Sequence, residues 1–131
     1  MLCTVGATSQ IQAADTLAKI KKEHNCQVVH ISTDCVFNGK KGNYNEEDDH
    51  DCLDVYGKTK SLGENPDLTI IRTSIIGEEI TNKRSLVEWV KSNTSKEING
   101  FIKHFWNGVT CLQLAKIIYK IITNSHIIYI K

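Results

Sequence analysis

Arginine is nearly missing from this chain of 131 residues: it occurs only at Arg72 and Arg84, and lysine supplies the rest of the 16 basic side chains. That weakens any case for bidentate phosphate recognition spread over a surface. Against 15 acidic residues the net charge is +1, which gives no electrostatic drive towards nucleic acid or an anionic membrane. The cysteines (Cys3, Cys26, Cys35, Cys52, Cys111) are odd in number and form no CxxC. That pattern reads as free thiols in a reducing compartment, not as a disulfide framework or a zinc site. The five histidines are dispersed, with no HExxH, so no metal site is expected. Long apolar runs are missing too. The isoleucine-rich tail "KIIYKIITNSHIIYIK" is broken by Lys120 and by Thr123-Asn124-Ser125, and no segment is long enough to cross a bilayer as a helix. The opening "MLCTVGATSQ" has no basic segment ahead of an apolar core, so no secretory signal is read there. Asn93-Thr94-Ser95 is formally a glycosylation sequon, read here as a polar loop. The expectation is one soluble, cytoplasmic domain with no membrane partner and no nucleic-acid partner.

What is present is legible punctuation. Ser9-x-x-Gln12, Ser85-x-x-Glu88 and Thr110-x-x-Gln113 each match a capping box ahead of an apolar-periodic run. The first predicts a helix to about Glu23, closed by His24-Asn25, with Ile11, Ala14, Leu17 and Ala18 on one face. "CQVVHIS" and "LTIIRTS" are short β-branched runs, expected to be strands covered on both faces. Between them lie the polar stretch "DCVFNGKKGNYNEEDDHD" and a helix-permitting run, "DVYGKTKSLGE". Further helices are predicted over about 85–92 and 109–122, and "HIIYI" reads as a terminal strand. Helix–strand alternation implies parallel strands joined by crossovers, an α/β sheet. In such sheets chemistry gathers beyond the carboxyl ends of the strands, which places Ser32, Thr33, Thr73 and Ser74 at the site.

Tyr56 and Lys60 stand four residues apart, which on a helix puts both side chains on one face, with Cβ atoms roughly 5–6 Å apart. An ammonium there favours the ionised phenol and makes it a usable proton donor or acceptor. A strand-end hydroxyl such as Thr33 could hold the same substrate oxygen. Taken alone, a YxxxK is more often a chance surface pairing in a lysine-rich chain than a catalytic pair.

The surroundings are more specific. Ser32-Thr33-Asp34-Cys35-Val36-Phe37-Asn38-Gly39, the acidic Tyr44-Asn45-Glu46-Glu47-Asp48 and Tyr56 to Glu64 follow in order, then "IIRTSIIG" and "FWNGVTCLQLAKII". This series resembles the dTDP-4-dehydrorhamnose reductase (RmlD-like) family of the extended short-chain dehydrogenase/reductases, over roughly residues 17–122. The resemblance implies a partial Rossmann-type fold, a doubly wound parallel α/β sheet. Residues 1–131 would form a single partial domain, with 1–77 carrying the sheet and catalytic segment and 78–131 part of the sugar-nucleotide region. It implies Thr33, Tyr56 and Lys60 as catalytic residues. Tyr56 would protonate the substrate carbonyl oxygen, Thr33 would bond that oxygen, and Lys60 would tune Tyr56 and bond the nicotinamide ribose. Ser32, Thr73, Ser74 and Ile75 are implied beside the cofactor, NADPH or NADH. Asp34, Arg72 and Trp106 are implied on the side of a 4-keto-6-deoxy sugar-nucleotide substrate.

Departures from the family pattern matter as much. A strand, then GxxGxxG, then a helix whose N-terminus faces the pyrophosphate is absent. Gly39-Lys40-Lys41-Gly42 opens into an acidic run and reads as a turn. The expectation is therefore a reductase segment that binds NAD(P)H weakly or not at all by itself. Two alternatives stay open: a non-catalytic binding protein, as in the similar methionine adenosyltransferase β subunit, and a sugar-nucleotide epimerase or dehydratase. A homodimer or a complementing partner chain would cover exposed sheet edges. Asp34 also suits loop capping, the run Glu46–Asp51 suits a solvated loop, and Arg72 suits a structural carboxylate partner.

Overall fold

A computed structural model describes residues 7–123. The predicted strand "HIIYI" lies outside the described residues. The chain divides into two compact units, one ending at Thr73 and the other beginning at Ser74.

The first unit runs α1 (Ala7–His24), β1 (Val29–Thr33), a 3-10 turn (Asp34–Val36), α2 (Val55–Leu62) and β2 (Thr69–Thr73). Helix α1 is already formed at Ala7, so Ser9 lies inside it and does not cap it, contrary to the sequence reading. The C-terminal end is as expected. Asn25 takes a left-handed φ of 47°, and the Cys26 N–H bonds back to the Lys21 carbonyl at 3.3 Å, a Schellman-type stop. Ala14 and Ala18 are buried. They are one helical turn apart, and their small side chains let α1 approach its neighbours closely. Gly63, just past α2, admits the Gln10 side chain, whose Oε1 would be 3.1 Å from a Cβ there. Asn65 Nδ2 donating to Asp15 (2.9 Å) and the Lys22–Asp67 pair (2.6 Å) fasten α1 to the turn after α2.

Strands β1 and β2 pair in parallel, with Ser32 beside Arg72 and Thr33 beside Thr73. A parallel pair needs a crossover, and the segment containing α2 supplies it. The strands were expected to be covered on both faces; the structure corrects this. Ser32 is buried, but Ile31, which points the other way, is 39% exposed. Every residue of β2 is only half-buried. Among the described residues this sheet has two strands.

The second unit runs β3 (Ile75–Ile76), α3 (Leu86–Ser92), β4 (Val109–Thr110) and α4 (Cys111–Thr123). Strands β3 and β4 are also parallel. The predicted caps act here as read: the Ser85 hydroxyl accepts from the Glu88 N–H at 3.5 Å and Thr110 Oγ1 from the Gln113 N–H at 3.1 Å. The last helix begins at Cys111, two residues later than predicted, because Val109 and Thr110 are engaged in the sheet. Asn93 of the sequon spends its amide N–H on the Trp89 carbonyl at 2.8 Å. Parallel strands joined through helices in both units make this a mixed α/β fold, as part of a Rossmann-type sheet would be. Among the described residues no helix is long and apolar enough to cross a membrane.

Candidate functional site

The tyrosine-bearing helix is placed by a cap and a glycine. Asp54 Oδ1 accepts from the Gly57 N–H at 2.8 Å, fixing where α2 begins. At Gly57 itself an added Cβ would run into the Cys35 carbonyl oxygen and come within 2.8 Å of Cys52 Cβ. Only glycine lets the first turn of α2 lie directly on the 3-10 turn that follows β1. The backbone next to Tyr56 is thereby brought against Cys35. Buried Val36 and Cys52 fill the space beneath, joined by the Cys52 N–H to Val36 carbonyl bond at 3.1 Å.

Thr33 is buried at the carboxyl end of β1. Its oxygen accepts from the Cys35 N–H at 3.2 Å, and its hydroxyl donates to Asp34 Oδ1 at 3.3 Å. In this state Thr33 serves as the cap of the 3-10 turn. Tyr56 and Lys60 are both half-buried on α2. Among the described residues neither the Tyr56 phenol nor the Lys60 ammonium has a hydrogen-bond or ion-pair partner within the chain. Lys60 does exert a field on β1. Burial first, and then the Lys60 charge, hold the His30 imidazole below its usual value, while Glu64 pulls it the other way.

Ser32 and Arg72, adjacent across the parallel register, converge on Glu64. The Glu64 carboxylate accepts from Ser32 Oγ at 2.5 Å, from Arg72 Nη2 at 2.9 Å and from Arg72 Nε at 3.0 Å. Its side chain is 7% exposed. Arg72 continues outward, donating from Nη1 to the Glu46 carbonyl at 3.0 Å and lying 5.6 Å from the Phe37 ring centre. His50 sits 3.6 Å from Glu64 through Nε2 and 2.6 Å from Ser61 Oγ through Nδ1. Phe37 stacks on Tyr44 with ring centres 4.4 Å apart.

The acidic run is not simply solvated, as the sequence reading had it. Asp51 accepts from the Asn38 N–H at 2.7 Å and from the Tyr44 hydroxyl at 3.1 Å. Asp48 is held below the usual carboxylate range, first by its bond from Lys41 and then by the Asn45 N–H. Gly39 and Gly42 take φ of 78° and 67° and form a turn tied down by these carboxylates; no helix opens from it.

The remaining candidates belong to the second unit. The Ser74 carbonyl accepts from the Val109 N–H at 2.9 Å, so Ile75 leads directly into β3. Gly108 fits between the Ser74 carbonyl and the Trp106 indole, each of which an added Cβ would strike. Trp106 therefore covers the start of β3 while staying 45% exposed. Thr73 closes the first unit. So the structure gathers Ser32, Thr33, Asp34, Tyr56, Lys60 and Arg72 in the first unit, and Ser74, Ile75 and Trp106 in the second.

Sequence reasoning missed Glu64, His50 and the packing role of Gly57. One signal did point to Glu64. A lone arginine in an apolar strand requires a buried counter-charge, and Glu64 is the nearest carboxylate that a turn after α2 can return to the strand ends.

The RmlD substrate binding domain family model matches residues 6–123. The chain is 43% identical over 67 residues to the dTDP-4-dehydrorhamnose reductase of Aggregatibacter actinomycetemcomitans, covering 50% of this chain and 23% of that protein. It is 54% identical over 55 residues to the spore coat polysaccharide biosynthesis protein SpsK of Bacillus subtilis (strain 168), covering 37% of this chain and 19% of that protein. The matched stretches thus span about a quarter or less of these relatives. No solved structure gives a significant match. With nearly its whole described length matched, the chain belongs to the RmlD substrate binding domain family.

Proposed function

We propose that this chain carries the carbonyl-reducing segment of an NAD(P)H-dependent sugar-nucleotide reductase acting on a 4-keto-6-deoxy sugar nucleotide, and that by itself it is an incomplete catalyst. One observation carries the reading. Gly57 seats the first turn of α2, the helix that carries Tyr56 and Lys60, on the Cys35 carbonyl of the turn that Thr33 caps. The function of the reductase relative gives that arrangement its chemistry.

The roles follow from the groups. Tyr56 donates the proton that the carbonyl oxygen takes up on reduction. Thr33, whose hydroxyl is now shared between Cys35 and Asp34, turns to hold the same oxygen. Lys60 supports the phenol from the next turn and offers its remaining N–H donors to a ribose. Asp34 and Trp106 remain candidates for the sugar nucleotide, and Thr73, Ser74 and Ile75 for the nicotinamide side. Ser32 remains a candidate for the cofactor side and Arg72 for the substrate side, both bonded here to Glu64.

The cofactor supplies the hydride. Tyr56 and Lys60 suit its ribose end. Its pyrophosphate finds no glycine-rich turn opening a helix among the described residues, and the Gly39–Gly42 turn is closed by Asp48 and Asp51 through their neighbours. The cofactor is therefore held at one end only.

Calorimetric titration of the chain tests both halves of this reading. NADPH is expected to give no saturable binding at micromolar concentration. A dTDP-linked 6-deoxy sugar is expected to bind, and Tyr56→Phe to weaken it severalfold with unchanged circular dichroism. Micromolar NADPH affinity would refute the incomplete cofactor site. Sugar-nucleotide binding indifferent to Tyr56→Phe would refute the assignment of the phenol.

A further inference from the structure

Helix α2 is fastened at two places, to the 3-10 turn that follows β1 and to β1 itself. The first is Gly57 on the Cys35 carbonyl; the second is Glu64, past the helix end, on Ser32. Lys60 lies between the two, and Tyr56 immediately precedes the first. A helix held at one end can rotate and tilt, whereas one held at both ends has a fixed phase. The second fastening is also the stronger. A buried carboxylate that takes a hydroxyl from β1 and a guanidinium fork from β2 joins three elements at once. Losing it strands the Arg72 charge, a costly outcome at a poorly exposed position. The same carboxylate reaches the loop over residues 37–51 through Arg72 on the Glu46 carbonyl and through His50, which also holds Ser61 of α2.

We propose that Glu64 is the positioning residue that sets the phase of α2 on the sheet, and through it the placement of Tyr56 and Lys60 beside the Thr33 turn. The claim deepens the reductase reading and takes its significance from it, but its test is independent of any turnover. Glu64 touches neither substrate nor cofactor in this role; it acts through the helix.

His30 serves as the reporter, because it lies on β1 within the fields of both Lys60 and Glu64. The two explanations of Glu64 predict opposite signs. If Glu64 were only a nearby charge, Glu64→Gln would remove an influence that raises the His30 value, and the imidazole would titrate lower still. If Glu64 positions α2, the same substitution frees the helix end, withdraws Lys60 and opens His30 to water, so the imidazole titrates higher, towards its ordinary value.

The experiment is an NMR titration of His30 in the full chain, with amide hydrogen exchange measured across α2. Glu64→Gln is expected to move the His30 midpoint upwards. Ser32→Ala, which removes one hydroxyl and leaves the Arg72–Glu64 pair, is expected to move it the same way by less. It should also speed exchange at Thr59–Ser61 by about tenfold, the factor one hydrogen bond to a charged group commands. A downward shift with α2 exchange unchanged overturns the proposal. Should Glu64→Gln fail to fold, Ser32→Ala decides: wild-type exchange in α2 there overturns it equally. Neither result bears on whether a sugar nucleotide binds, so the proposal and the reductase reading fail separately.

Discussion

Replacing Gly57 with alanine sets two effects of opposite sign against each other. Gly57 lies inside α2, where alanine is intrinsically the better helix former by about 1 kcal/mol, so propensity alone predicts a more stable chain. Packing predicts the reverse. The new methyl would overlap the Cys35 carbonyl oxygen and approach Cys52 Cβ to 2.8 Å and Asp54 Oδ2 to 3.1 Å. The first of these is backbone, held in a 3-10 turn by the Thr33 cap and by the Phe37 N–H bond to the Asp34 carbonyl at 3.0 Å, so no rotamer change relieves it. Either the turn distorts, an overpacking cost of about 1–3 kcal/mol, or α2 backs away and forfeits the Asp54 cap, about 1 kcal/mol, along with the Cys52 packing. Net of the propensity gain, a loss of about 1 kcal/mol is expected. For a cooperative unit of this size that lowers the melting temperature by about 4 °C. Thermal unfolding followed by circular dichroism measures it. Gly100→Ala is the control, because a Cβ there meets nothing within 4 Å; it should melt like the wild type. A Gly57→Ala chain that melts at or above the wild type would refute the reasoning that seats Tyr56 by this contact.

Two further predictions concern the loop and the histidine. Asp51→Ala removes the acceptor of the Asn38 N–H and of the Tyr44 hydroxyl, and should cost about 1–3 kcal/mol while exposing residues 38–50 to limited proteolysis; a cleavage pattern like the wild type would count against the latch. His30 is held below the ordinary histidine value of 6.5 by burial and then by Lys60. A depressed histidine favours its neutral form in the folded state. Its contribution is therefore fully present above pH 6.5 and is lost as pH falls from there through the lowered folded value. Lys60→Met should flatten this part of the stability–pH curve, measured by urea unfolding, and an unchanged slope would exclude the Lys60 field as its cause.

Much of this architecture could be read in advance because its signals are local. Hydroxyl caps at Ser85 and Thr110, the helix stop at Asn25 and the β-branched runs of β1 and β2 each depend on a few neighbouring residues. Thr33, Tyr56 and Lys60 are candidates for a different reason: their spacing within a strand–loop–helix series is distinctive. What escaped was long-range. That Gly57 is glycine because a carbonyl 22 residues earlier lies on it leaves no local trace, and neither does the return of Glu64 to Ser32. Ser9 misled because a capping pattern in sequence does not say whether the chain before it is already helical. The both-faces-covered reading of β1 failed at Ile31, since a β-branched run records what a strand can bury, and neighbouring layers decide what it does bury.

The most direct test of the central claim is a chemical-shift map of the isotope-labelled chain as a dTDP-linked 6-deoxy sugar is added, with NADPH added to a second sample. The account predicts saturable changes centred on Thr33–Cys35 and Tyr56–Lys60 with the sugar nucleotide, and no saturable change with NADPH at micromolar concentration. Sugar-nucleotide perturbations confined to other parts of the chain, with those two segments silent, would contradict it.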